Sequence, residues 1–115
     1  MSHHRLPNYL RTHRKRLRAG QRHVAFFLGS KSGTKISRYE HFSRVPDLQT
    51  VFALEVIYGV PARDLFAGMF EDARRLVEER AGHVIRGPDP MLAAFARLIL
   101  DPSARLPAKP PTTFS

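Results

Sequence analysis

Gly20 and Gly29 bracket eight residues in which Val24, Ala25 and Leu28 recur at helical spacing. Ile36 and Tyr39 then stand three apart in Ile36-Ser37-Arg38-Tyr39-Glu40. A strand would alternate apolar and polar residues, whereas steps of one, three and four place the apolar groups on one stripe of a helix. Gly29 suits the turn that closes the first of these helices. The pattern predicts helix, tight turn, helix, with small or apolar residues inside and polar ones outside.

The same reading extends over almost the whole chain. Asn8 is the expected N-cap of a first helix running to about Arg18, with Leu10 and Leu17 sharing a face and a mostly basic remainder. The third helix is expected to begin after Ser32 as N-cap and to end near Glu40, with Ile36 and Tyr39 inward. Phe26 and Phe27 read as core and helix-packing residues. Asp47 caps a fourth helix from Leu48 to Tyr58, stopped by Gly59. Leu48, Val51, Phe52, Leu54, Val56 and Ile57 make it apolar over most of its circumference, which predicts a buried centre. Pro61 suits the first turn of a fifth helix, expected to run through Gly68 to about Arg80 or beyond. Its stripe is Leu65, Phe66, Met69, Ala73, Leu76 and Val77. Gly87-Pro88-Asp89-Pro90 is a breaker, and Met91 to Leu100 reads as one more short amphipathic helix capped by Asp89. From Asp101 onward Pro, Ala and Thr predict a disordered tail. The expectation is an all-α chain with a head at 1–68, a helical extension at 69–100 and a tail at 101–115.

A length of 115 residues supports one modest core. The chain has no cysteine, which excludes disulfides and thiolate metal sites and suits an intracellular protein. No uncharged run approaches the roughly 20 apolar residues of a membrane helix. No apolar core follows His3, His4 and Arg5, so no secretory signal is expected. The net charge of +9 is concentrated: residues 1–46 hold eleven Lys/Arg and one acid, Glu40, while residues 47–86 hold five Lys/Arg and seven acids. Such a field attracts a polyanion to one face, because neutralising phosphates releases condensed counterions. Charge alone also fits a solvated basic face.

The order of the helices, Gln21 at the head of the second, its Ala25-Phe26-Phe27-Leu28-Gly29 ending and Ile36-Ser37-Arg38-Tyr39-Glu40 resemble the phage repressor and Cro-like helix-turn-helix family, also called XRE-type regulators. The resemblance spans about Leu6 to Phe66 and includes Pro46-Asp47-Leu48 and Gly59-Val60-Pro61-x-x-x-Leu65-Phe66. It departs from the family in two places. The stretch Ser30 to Lys35 is one residue longer than usual, and Gly33 stands where a large polar base reader often sits.

The resemblance implies an all-α, five-helix repressor/Cro-like head with an extended fifth helix and a short C-terminal helix. It implies sequence-specific binding of double-stranded DNA by a transcriptional regulator, a repressor, in the bacterial cytoplasm. A helix lodged in the major groove offers its first residues to base edges, here Gly33, Thr34 and Ser37, then Arg38. Arg38 fits bidentate contact with guanine O6 and N7, and Thr34 fits a base edge or a thymine methyl. Gln21 matches the family's phosphate-gripping residue. Arg22, Lys31, Lys35, His41, Ser43 and Arg44 complete the expected phosphate contacts, which position the protein without reading sequence. In the family, an arginine at the position of Arg14 pairs with the acid that ends the third helix, here Glu40, as a structural ion pair. A homodimer on a two-fold site follows from the motif. The apolar residues of 69–100 either form that dimer contact or fold back on their own core.

Two other functions stay open. The chain could be an antitoxin-like or adaptor protein whose 69–100 helices hold a protein partner, or a non-specific basic nucleic-acid-binding protein. The six histidines lack metal-ligand spacing, so no metal or cofactor is expected. The acidic pairs Glu71-Asp72 and Glu78-Glu79 diverge around their helix, and no nucleophile–base arrangement is present, so an enzyme is not expected.

Overall fold

The computed structural model describes residues 6–105. Those residues form seven α-helices and no strand: α1 Leu10–Arg16, α2 Gln21–Phe27, α3 Thr34–Glu40, α4 Leu48–Tyr58, α5 Ala62–Leu65, α6 Ala67–Val84 and α7 Pro90–Leu100. The fold is all-α. The chain divides into two compact units between Asp72 and Ala73, inside α6 and four residues beyond the expected head boundary.

In the first unit the core is Leu10, Val24, Ala25, Ile36, Tyr39, Leu54, Tyr58, Leu65 and Phe66. Each large aliphatic side chain removed from water there contributes about 1.5–3 kcal/mol. Val24 and Ala25 are buried because they face α3, with Leu28 half-buried beside them. Two core expectations are corrected. Phe26 and Phe27 are 73% and 70% exposed and meet edge to face with centroids 5.1 Å apart. The inner stripe of a seven-residue helix is already filled by Val24 and Ala25, so the next two residues turn outward. Leu17 is exposed because α1 stops at Arg16 and leaves it at the C-cap.

Three consecutive helices end in the same way. After α1, the Ala19 N–H donates to Arg14 O at 3.2 Å and the Arg18 N–H to Lys15 O at 3.0 Å. After α2, Ser30 and Gly29 donate to Ala25 O and Phe26 O; after α3, Ser43 and Phe42 donate to Arg38 O and Tyr39 O. These are Schellman closures, which need a left-handed residue just past the helix. Gly29 fills that position after α2 at φ 78°, but Arg18 (φ 57°) and Phe42 (φ 63°) fill it after α1 and α3.

The helix starts also differ in detail from expectation. Asn8 is not the N-cap residue of α1, which is Tyr9, yet its Oδ1 accepts the Leu10 N–H at 3.1 Å while its Nδ2 donates to Tyr39 O at 2.9 Å. One buried amide thus caps α1 and ties it to the end of α3. Gly33, not Ser32, is the N-cap of α3, although the Ser32 Oγ still accepts the Thr34 N–H at 3.4 Å and donates to Thr34 Oγ1 at 3.1 Å. Asp47 caps α4 by accepting the Thr50 N–H at 2.8 Å, and Gly59 closes it at φ 67°.

The single long fifth helix expected from Pro61 onward is two helices, and Pro61 is the N-cap of α5 rather than part of its first turn. Phe66 leaves helical geometry at φ −115°, ψ 44°. The backbone of residues 6–9 crosses this break: Tyr9 N–H donates to Leu65 O at 2.7 Å and Met69 N–H to Pro7 O at 3.1 Å. Groups that the break would orphan are thereby satisfied. A Cβ on Gly68 would lie 1.9 Å from Leu6 O, so only glycine admits this crossing. α4 is likewise not a buried centre. Leu54 and Tyr58 are buried, whereas Leu48, Phe52 and Val56 are exposed on its other side.

In the second unit, Asp89 caps α7 by accepting the Leu92 N–H at 3.1 Å. The buried residues from Ala73 onward, among those described, are Ala81, Ala93 and Ala96. The expected tail begins in order: Pro102–Ala104 make one 3-10 turn, with Ser103 Oγ donating to Asp101 Oδ1 at 2.6 Å and Arg105 Nε to Leu98 O at 3.1 Å. The rest of the expected tail, with His3 and His4, lies outside the described residues.

Candidate nucleic-acid interface

Glu40 organises the site from inside. Its side chain is 1% exposed and accepts Arg14 Nε at 2.6 Å, Arg14 Nη2 at 3.0 Å and Gln21 Nε2 at 3.0 Å. Arg14 Nη1 also donates to Ala19 O at 2.9 Å. One carboxylate therefore fixes the end of α1, the start of α2 and the end of α3. The hydrogen bond to Glu40 holds the Arg14 guanidinium above its ordinary pKa, against the opposing pull of burial. Tyr58 closes this region. Its phenol is pushed above its ordinary range by burial first and by the Glu40 charge second, and its hydroxyl has no hydrogen-bond partner among the described residues.

On the outer side, Gln21, Arg22, Gly33, Thr34, Ser37 and Arg38 line one concavity together with Gly20 and His23. All four expected base-contact residues are in it. Gly33 has φ −79°, which any residue adopts, so its role is spatial: a Cβ there would lie 2.9 Å from Gln21 Cβ and 3.1 Å from the Gln21 carbonyl carbon. Glycine lets the start of α3 seat against the start of α2. Without a side chain, position 33 offers a groove-bound ligand only backbone.

Arg38 is exposed and its guanidinium makes no hydrogen bond or ion pair among the described residues. It lines the concavity one helical turn beyond Thr34. The other expected contacts are placed less uniformly. Gln21 commits one amide N–H to Glu40, so it is oriented from within. Arg22 is exposed on the concavity, while Lys31 and Lys35 are exposed outside its lining. The Thr50 hydrogen bonds, then the Lys35 charge, hold the Asp47 carboxyl below its ordinary range. His41 and Ser43 both serve the end of α3: His41 Nδ1 lies 2.7 Å from Ser37 O, and Ser43 Oγ donates to Arg38 O at 3.2 Å. Arg44 follows them, exposed.

Gly20 and His23 are the site residues that sequence reasoning missed. His23 Nδ1 accepts the Gly20 N–H at 2.8 Å, and the His23 N–H donates to Gly20 O at 3.0 Å. This is one half of a capping box, with histidine in place of Glu or Gln at the third helical position; glycine has no side chain to return the bond, and a backbone turn closes the other side. The spacing Gly20-x-x-His23 is its signal. Among the described residues no three His, Asp or Glu side chains converge as a metal site, and no helix is long and apolar enough to cross a membrane. No family model, no curated protein and no solved structure matches the chain.

Proposed function

We propose that this chain is a sequence-specific double-stranded DNA-binding regulator of the repressor/Cro-like helix-turn-helix type, a repressor acting as a homodimer on a two-fold site in the bacterial cytoplasm. The observation that carries the reading is the concavity between α2 and α3, along which Thr34 and Arg38 are exposed, Ser37 is half-buried, and the Arg38 guanidinium has no partner among the described residues. A helix presenting its first turn and an exposed guanidinium matches what a major groove reads, and the basic segment around it supplies phosphate neutralisation. Arg38 reads a base, Thr34 and Ser37 contact base edges, and Gln21, Arg22, Lys31, Lys35 and Arg44 fix the register on phosphate.

Selection of bound duplexes from a random pool tests this, with wild type and Arg38→Ala side by side at physiological salt. The expected result is an inverted repeat whose information is lost at one position per half-site in the variant. Absence of any enriched motif would overturn sequence-specific binding and leave a general polyanion binder, the reading that the bare Gly33 favours.

A second reading draws on α7. Met91, Leu92, Phe95, Leu98 and Leu100 are exposed on it, which supports an antitoxin-like or adaptor role through a protein partner. A stoichiometric heterologous complex recovered from cells that is lost on Phe95→Glu would favour it.

A further inference from the structure

The first unit carries an apolar face that DNA binding does not use. Val45 is 65% exposed, Leu48 67%, Phe52 55% and Val56 81%; Leu48, Phe52 and Val56 follow each other at i, i+4, i+8 along α4. Leu48 also lines a groove with Val45, Val51, Phe66, Met69 and Phe70. Arg63 borders it with its guanidinium 4.9 Å above the Phe70 ring, so even the cation there is laid over an aromatic face.

We infer that this face is the surface through which two copies of the chain associate. Charge excludes a polyanion from this face, and apolar area argues for a second copy. Residues 6–46 carry ten Lys/Arg and one carboxylate, but residues 47–72 carry one arginine against five carboxylates. A polyanion is repelled from the second segment. Two copies of a chain with net charge +9 repel each other through their basic faces, and the α4 face lies outside that field; its own segment carries one arginine against five carboxylates, so what two copies gain there is apolar burial and not charge attraction. The size also fits. With about 150–200 Å² for a fully exposed large apolar residue, Val45, Leu48, Phe52, Val56, Met69 and Phe70 present on the order of 600 Å², against roughly 800 Å² per partner in a standard interface. A two-fold contact needs one self-complementary patch, and a continuous apolar stripe beside a groove provides ridge and recess on the same surface. Val45 lies five residues after the end of α3, so a two-fold axis through this face brings the two α3 helices into one assembly. The half-site consequence rests on the DNA-binding reading; the self-association does not.

Sedimentation velocity of the full chain over a concentration series tests it, with Leu48→Glu, Val56→Glu and, as control, Phe95→Glu on α7. Glutamate is a better helix former than valine, and at the first position of α4 it suits the helix dipole, so both head variants are compatible with the fold. Circular dichroism melting of each variant checks this. Each substitution enters a two-fold interface twice, so the expected result is a dimeric wild type, a dimer Kd raised at least about 100-fold in both head variants, and a dimeric Phe95→Glu. A monomeric wild type overturns the inference and leaves the face to a foreign protein or to residues 106–115 of this chain. A dimer that survives Val56→Glu but not Phe95→Glu also overturns it. On DNA, Val56→Glu is expected to keep affinity for a single half-site and lose cooperative binding to the inverted repeat. A dimeric wild type with no sequence preference would overturn the DNA-binding reading while the interface stands.

Discussion

Glu40 does at the scale of one residue what the sequence assigns to a pair. The resemblance implies Arg14 as its partner, but the carboxylate also orients Gln21, and through Arg14 it reaches the Ala19 carbonyl. Glu40→Ala leaves a largely buried guanidinium without its counter-charge, which costs about 3–5 kcal/mol, whereas Arg38→Ala removes an exposed side chain with no described partner. The expected outcome is a melting temperature lowered strongly by the first change and hardly at all by the second; equal melting temperatures would contradict it. Tyr58 gives a prediction of the opposite sign. Its hydroxyl is buried without a partner among the described residues, so Tyr58→Phe is expected to melt at the same temperature as wild type or higher at pH 7. The folded phenol titrates above its ordinary value of 10.0, so the native state keeps its proton where the unfolded chain releases it. Stability tied to Tyr58 is therefore complete below about pH 10 and declines as pH rises beyond it. Denaturant titrations between pH 8 and 11 should show that decline in wild type and a shallower one in Tyr58→Phe. Glu40 was legible because a lone acid in a basic segment stands out, but its pairing with Arg14 was legible only through the resemblance. The phenol was not, because a tyrosine at the end of an apolar helix carries no sign of whether its oxygen finds a partner.

At the scale of elements, what the sequence makes legible and what it hides divide along the type of signal. Asp47, Gly59 and Asp89 mark their helix ends by residue type, and those ends lie where expected. Arg18 and Phe42 do not, since neither residue type announces a left-handed backbone. The closures after α1 and α3 are the same as the one after α2, so the geometry is imposed by packing and tolerated by the residue. Replacing Arg18 with glycine removes a Cβ penalty of about 1 kcal/mol and restores part of it through a freer unfolded chain. A net stabilisation of about 0.5 kcal/mol is expected by denaturant titration; a destabilised variant would mean that the Arg18 side chain holds the fold. Gly68 runs the other way. Its Cα touches the Leu6 carbonyl, so Gly68→Ala must push residues 6–9 off the α5–α6 break and cut the hydrogen bonds from Tyr9 and Met69. Loss of about 3 kcal/mol or more is expected, although alanine is the better helix former. The break was hidden for the same reason. An apolar stripe continues through Phe66, and only a contact from sixty residues upstream in sequence interrupts the helix.

Across the whole molecule the charge gradient separates a basic segment from an acidic one, and it is the part of the proposed function that composition alone already contains. The α4 stripe was hidden within it: an apolar helix of eleven residues reads as a centre, and only burial distinguishes Leu54 and Tyr58 from Leu48, Phe52 and Val56. If the basic segment carries phosphates and Arg38 carries sequence, salt separates the two. Each lysine or arginine that neutralises a phosphate adds about 0.9 to the slope of log K against log salt concentration. Lys35→Ala is therefore expected to lower that slope by about 0.9 per bound copy and to weaken all duplexes alike. Arg38→Ala is expected to cost about 1–3 kcal/mol on the selected site and much less on unrelated DNA. Val56→Glu, on the opposite charge regime of the head, should leave the slope per bound copy unchanged. Filter binding or fluorescence anisotropy between 50 and 200 mM salt, with selected and scrambled duplexes, reads all three. An Arg38→Ala loss that is equal on both duplexes would reduce Arg38 to one more phosphate contact. The specificity would then have to come from Thr34, Ser37 and DNA shape, because Gly33 brings no side chain to the groove.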